Sequence, residues 1–368
     1  MLLSSNFRLL LLQLDRLAET PYFSPNLDSF ISELRKVTRE MIDRLRSSPP
    51  RVNEKFAHEA LHHIWQLTQF LTGSTTKQVP YEVVHVIERA ARAWTPNPLL
   101  ITTAIVQESG FFFEGGPESF FTGIEAELGI KIDARPVQIA LPYIYRHKPL
   151  FCVPLFHELG HYIDSAHDIV GTSLLRYPPE SGPALPGLGT IEEVASKSEG
   201  EQRIWSKVVR RHRHEYFADL FSVAYGGRAA RGFLEQFIPD EPLRHTHPSS
   251  ADRFELMEDF YEGRPNEIVD MFQDTLISRG LPRLEKMFVP VDLTASIEHV
   301  RPYEVASDAE LFGLFETGWQ FLMGQWAIGS GNWAHMSLDD RVDIVNDLVE
   351  KSIRNRMVRE AWLAAANT

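Results

Sequence analysis

Apolar positions spaced three and four apart dominate residues 1–95. Phe30, Leu34, Val37, Met41 and Leu45 fall on one helical face, and Ser47-Ser48-Pro49-Pro50 ends that segment. A second helix is expected from about Asn53 to Leu71, stopping near Gly73. A third follows Pro80 and ends before Trp94-Thr95-Pro96-Asn97-Pro98. The run Leu9-Leu10-Leu11-Leu12, bracketed by Arg8 and Asp15, reads as the core face of a further helix. Beyond the proline-rich stretch the pattern changes. Leu99 to Val106 is short and rich in β-branched residues, as a buried strand is. Val137, Ile139 and Leu141 alternate with Gln138 and Ala140, which predicts a half-buried strand ending near Pro142. Helical spacing returns from Phe151 to about Asp164. Residues 171–190, with glycine and proline clustered after 177, read as an irregular loop. A long helix then carries Ile204, Val208, Phe217, Leu220, Phe221 and Ala224 up to Gly226-Gly227. Beyond about 263 the chain is again expected to be helical, with a stripe of Leu311, Leu314, Phe315, Trp319, Leu322 and Met323. The expected class is mainly α, an α+β fold with a small sheet. It divides into an N-terminal helical domain over 1–95, a core over 96–262 and a C-terminal helical region over 263–368.

Composition narrows the function classes. A chain of 368 residues can bury a large core. The formal net charge of −13 argues against a general nucleic-acid binder, since phosphates would be repelled on average. The single cysteine, Cys152, excludes a disulfide framework and a Cys-rich structural zinc site, and suits a reducing compartment. No small-residue cleavage site follows Leu9–Leu12, and no stretch approaches the ~18–20 apolar residues that span a bilayer. A cytoplasmic protein without a membrane span is expected.

The chemistry concentrates in His157-Glu158-Leu159-Gly160-His161. Histidines four apart on a helix stand ~40° apart around its axis and one turn apart along it, so both can address one metal ion. Glu158 lies ~100° further round, where it can face a water in the open coordination position. This is a two-ligand, one-base arrangement for a single catalytic Zn2+. The same pattern also occurs in His58-Glu59-Ala60-Leu61-His62, with Glu82 twenty residues on as a possible third ligand. The second copy is favoured. It has apolar flanks in Phe156, Leu159, Tyr162 and Ile163, and it follows the strand at Val137–Leu141, whose edge could pair with an extended substrate backbone. The first copy lies in an all-helical region, with His58 and His62 beside a stripe of Phe56, Ala60, Ile64, Leu67 and Leu71.

A catalytic zinc needs a third protein ligand. Glu215, which opens Glu215-Tyr216-Phe217-Ala218-Asp219, is favoured. His167 is the alternative, at the spacing where metzincin peptidases place a third histidine, although Asp164 stands where that class turns its chain on glycine. Asp219 shares a helical face with Glu215 and could accept a hydrogen bond from the free ring nitrogen of a zinc-bound histidine. From the residues alone, Glu215 and Asp219 equally suit a solvated face pairing with Arg211 or Arg213.

Three segments in order, His157–His161, Glu215–Asp219 and His247-Pro248-Ser249-Ser250-Ala251-Asp252-Arg253, resemble the signature of the CAAX-prenyl-protease and HtpX-like gluzincin peptidases. The resemblance covers about 157–253, and the membrane helices of many such proteins are absent. It implies a zincin-like catalytic core and peptide-bond hydrolysis. It also implies Glu215 as third ligand, Asp219 as its support, and His247 and Arg253 as substrate or oxyanion contacts. The expected mechanism uses zinc to acidify a water and Glu158 to take its proton. Tyr216 and Tyr225 are fallback oxyanion donors, or else packing residues with surface hydroxyls.

Other features have plainer readings. Arg210-Arg211-His212-Arg213-His214 reads as a solvated charged face, Cys152 as a small buried residue, and Pro178–Gly189 as a surface connection or a flap. The expected partner is a peptide or protein substrate, with a possible protein partner on the flanking helical regions. The rival functions are an interaction module with a structural or inactive zinc site, and a zinc hydrolase of non-peptide amides.

Overall fold

The computed structural model describes residues 2–22, 24–74, 80–95, 99–106, 110–115, 118–188, 198–323 and 336–366. It is mainly helical with one small sheet, as the pattern predicts. The chain forms two compact units, residues 1–84 with 95–146 and residues 85–94 with 147–368. This division differs from the three parts expected. The strands of the expected core group with the N-terminal helices, and the C-terminal helices group with the HExxH segment at 157–161. In the first unit Leu100, from beyond the proline-rich stretch, shares the apolar core of the N-terminal helices.

In the first unit, α1 (Leu2–Ala18), α2 (Pro25–Arg46), α3 (Glu54–Gly73) and α5 (Glu118–Leu128) enclose a core that includes Phe7, Leu14, Phe30, Val37, Ile64 and Ile124. Asn53 caps α3 by accepting from the backbone N–H groups of Lys55 and Phe56. The four-leucine run does not form one core face. Each helical residue turns ~100°, so Leu10 is buried while Leu9 and Leu12 stay 66% and 57% exposed.

The sheet has the order β1 (Leu99–Val106), β3 (Arg135–Pro142), β2 (Phe112–Gly115). β1 runs parallel to β3 from Leu99 opposite Arg135 to Val106 opposite Pro142. β2 runs antiparallel, with Phe112 opposite Ala140 and Gly115 opposite Val137. Two expectations for β3 are corrected. It is central, with neighbours on both edges, so over Val137–Ala140 it has no free edge to offer a substrate. It is also buried on both faces, Gln138 included, as a strand with a parallel neighbour commonly is. The sheet belongs to the unit of the first HExxH copy, where Thr103 N–H donates to Ser74 Oγ just beyond α3. That copy is therefore not in an all-helical setting.

In the second unit, α6 (Pro154–His167) and α7 (Ile169–Arg176) pack on α8 (Glu199–Gly226). α9 (Arg228–Phe237), α10 (Ser250–Glu262), α11 (Glu267–Ser278), α12 (Thr294–Glu298), α13 (Asp308–Leu322) and α14 (Leu338–Ala366) complete it, with the last residues of α4 (Tyr81–Ala91). α8 starts on a capping box between Ser198 and Glu201, and from Val208 onward it is largely buried. The region after 263 is not continuously helical. Residues 281–293 form neither helix nor strand; they contain Pro282 and Pro290 and are held by Met287 N–H on Ala224 O and Val289 N–H on Ala309 O.

Candidate metal centre

The site is built where α6 crosses α8. Their backbones approach closely because residue 160 is glycine. A Cβ there would stand 2.8 Å from Ala218 Cα and 3.0 Å from Phe221 Cβ. The closer contact, Ala218, lies between Glu215 and Asp219 on α8, and those carboxylates reach the histidines of α6. His157 Nε2 is 3.5 Å from Glu215 Oε2, and His161 Nε2 is 3.6 Å from Glu215 Oε1. Among the described residues, His157, His161 and Glu215 are the one group of three whose ligand atoms could hold a metal ion.

These residues fit a metal. Their ligand atoms all lie within 4.8 Å of one another, and each imidazole approaches a Glu215 oxygen to 3.5 or 3.6 Å, close to the roughly 3.3–3.6 Å between ligands held at ~2.0–2.2 Å around a tetrahedral ion. Those approaches are long for hydrogen bonds. Behind the ligands, His157 Nδ1 lies 3.0 Å from Asp219 Oδ1. A carboxylate there selects the tautomer with a proton on Nδ1, which frees the Nε2 lone pair. Arg253 donates from Nε and Nη2 to the two oxygens of Asp219, both at 2.7 Å, and Asp219 is fully buried. Glu215 and Asp219 against Arg253 leave one negative charge, which a protonated His157 balances without metal and which a bound cation can balance in place of that proton.

Ionisation follows from these contacts. Burial opposes charge on His157, but Asp219 and Glu215 overcome it and raise the imidazole to about 10. Burial, with His157 alongside, lowers His161 to about 4. Burial also works against a charged Glu215, yet His157, His161 and Arg253 hold its carboxyl down at about 2. Glu158 is raised, chiefly by burial, with His157 and Arg253 opposing. An elevated carboxylate is better matched to taking and returning a proton near neutrality.

His247 sits before Ser249, which caps α10 by accepting from Asp252 N–H. Its Nε2 is 3.7 Å from Glu215 Oε1 and its side chain is half exposed, so it stands at the open rim of the cluster. Arg253 is placed otherwise than expected. It is buried, its guanidinium is taken up by Asp219, and its Nη2 is 3.8 Å from Glu215, so it supports the site from behind. Glu215 and Asp219 likewise pair with His157 and Arg253, not with Arg211 or Arg213.

His167 is not brought to the cluster. Its Nε2 lies 2.7 Å from the carbonyl of Trp94, and α6 continues through Asp164 without the turn a metzincin arrangement needs. The left-handed residue is Asp168 (φ 49°, ψ 47°), beyond the helix. Asp164 instead accepts from Val170 N–H at 2.7 Å and pairs with His214, tying α6 to α7 and α8. This tie was missed in the sequence, although Asp164 lies one turn beyond His161.

Tyr216 and Tyr225 are fully buried, so neither hydroxyl is at the surface. Tyr225 Oη donates to Ala90 O and accepts from Trp94 Nε1. Cys152 is buried as expected, and burial pushes its thiol far up. The basic run is divided, with Arg210 and Arg211 exposed and His212 and Arg213 buried. Pro178 to Leu188 forms an irregular connection with Leu185 buried; Gly189, the end of the suggested flap, lies outside the described residues.

No protein-family model, curated protein or solved structure matches the chain. No helix among the described residues is long and apolar enough to cross a membrane.

Proposed function

We propose that the protein is a zinc-dependent peptidase acting through His157, His161 and Glu215, with Glu158 as general base. The observation that carries this reading is the convergence of two imidazoles and one carboxylate at metal-ligand spacing, with a burial-raised Glu158 on the same helix. Two histidines and one glutamate form a catalytic type of ligand set, which keeps a position for water; structural zinc sites more often use four protein ligands. A zinc ion bound there supplies an acidified water and polarises a carbonyl oxygen. Glu158 takes the proton of the attacking water and returns it to the leaving amine. His247, at the rim, donates to the oxygen on which charge develops. Asp219 and Arg253 fix the ring of His157. The peptide bond as substrate, and a cytoplasmic setting, rest on the resemblance and the composition.

Three variants test the reading. Glu158→Gln is expected to abolish hydrolysis of a peptide library while zinc content by metal analysis stays at wild-type level. Glu215→Ala is expected to lose zinc and His167→Ala to keep it. Retained hydrolysis in Glu158→Gln, or zinc lost only in His167→Ala, rejects the assignment.

A further inference from the structure

The first pentapeptide, His58 to His62, has no role in the centre on α6, yet α3 presents it in a specific way. Ala57, Ala60 and Ile64 are buried in the unit's core, which turns His58 and His62 outward. Both imidazoles line one cleft of about 580 Å³ between α1 and α3. Asn6, Leu9 and Gln13 come from α1, and Trp65, 53% exposed, comes from α3. The lining contains neither a carboxylate nor a cationic Lys or Arg among the described residues.

We propose that His58 and His62 form a second, exchangeable site for a divalent late transition-metal ion. Residues four apart on a helix place their Cβ atoms about 5–6 Å apart, a span two imidazoles can close on one ion. Imidazole is a preferred ligand of Cu2+, Ni2+ and Zn2+. The ring of His58 is already oriented, since its Nδ1 lies 2.9 Å from the carbonyl of Glu54. A carbonyl can only accept, so that nitrogen carries the proton and the Nε2 lone pair of the neutral ring remains for a metal. This is the outer support that metal-bound histidines commonly have. His62 lies one turn further on and opens into the same cleft.

The site binds without the apparatus for hydrolysis. Glu59 is directed to Lys55, 3.9 Å away. Glu82, the ligand suggested by its spacing, is buried on α4 and does not join these histidines in a group of three. Two protein ligands leave the remaining coordination positions to water or to an external donor entering the cleft.

Trp65 reports on the site, because Cu2+ quenches indole emission at short range. Cu2+ titrated into the full-length, zinc-loaded chain is expected to give saturable quenching that is absent in Trp65→Phe. Half-saturation is expected to rise about tenfold or more in His58→Ala and in His62→Ala. His58 and His62 are exposed, so both variants should keep the wild-type circular dichroism. Undiminished quenching in the His58→Ala/His62→Ala double variant, or in Trp65→Phe, overturns the proposal.

Discussion

Replacing Arg253 by methionine tests how the centre is supported. The side chains of Arg253 and Asp219 are 5% and 0% exposed, so the substitution leaves a carboxylate in the interior without its bidentate partner. Breaking a buried ion pair from one side costs about 3–5 kcal/mol, a large share of the ~5–15 kcal/mol that holds a typical domain. The loss is unequal in the two forms of the protein. Without metal, His157 is held protonated by Asp219 and Glu215 and remains as a cation beside Asp219. With metal bound, His157 must be neutral, and Asp219 keeps only the charge of the ion on the far side of that ring. The variant should therefore also bind zinc about 10–100-fold more weakly, or about 1.4–2.7 kcal/mol. Urea unfolding with chelator and with saturating zinc measures the first effect, and competition against a chromophoric chelator measures the second. The double variant Asp219→Leu/Arg253→Met separates them. An apolar pair should regain most of the stability, while zinc affinity stays low because nothing orients His157. Unfolding within about 1 kcal/mol of wild type in Arg253→Met, or wild-type zinc affinity in the double variant, would refute this account.

Gly160→Ala brings two opposing effects to the crossing of α6 and α8. Helix propensity favours alanine by ~1 kcal/mol, but a Cβ 2.8 Å from the Ala218 backbone forces the helices apart, at a cost of about 1–3 kcal/mol. Lower thermal stability together with weaker zinc binding is expected, and a variant more stable than wild type would contradict the packing argument. Away from the centre, burial and the neighbouring Arg89 lower His85 from 6.5 to about 4. A depressed histidine folds neutral, so its contribution is fully present above pH 6.5 and is lost as pH falls towards 4. The loss is up to about 3 kcal/mol. His85→Asn should flatten the acid limb of stability measured by urea unfolding between pH 7.5 and 4.5, and an unchanged slope would exclude His85 as its source.

Much of the fold was legible because its signals are local. The stripe from Phe30 to Leu45, the helix start near Asn53 and the β-branched run at Leu99–Val106 each match an observed element. The spacing of His157, Glu158 and His161 likewise follows from helical geometry, which the sequence carries within one turn. Choosing between two identical spacings, at 58–62 and 157–161, required knowing what stands opposite each pair. Only the packing of α8 on α6 through Gly160 brings Glu215 within 3.5 and 3.6 Å of the histidines. The same holds for Arg253, which the motif order placed at a substrate but tertiary packing placed behind Asp219. It holds too for β3, whose alternation could not disclose that it has neighbours on both sides. Periodicity specifies which side of an element is buried and which residues share a turn. Which residues distant in the chain meet there depends on how closely two backbones can approach, and that was decided only in the folded structure.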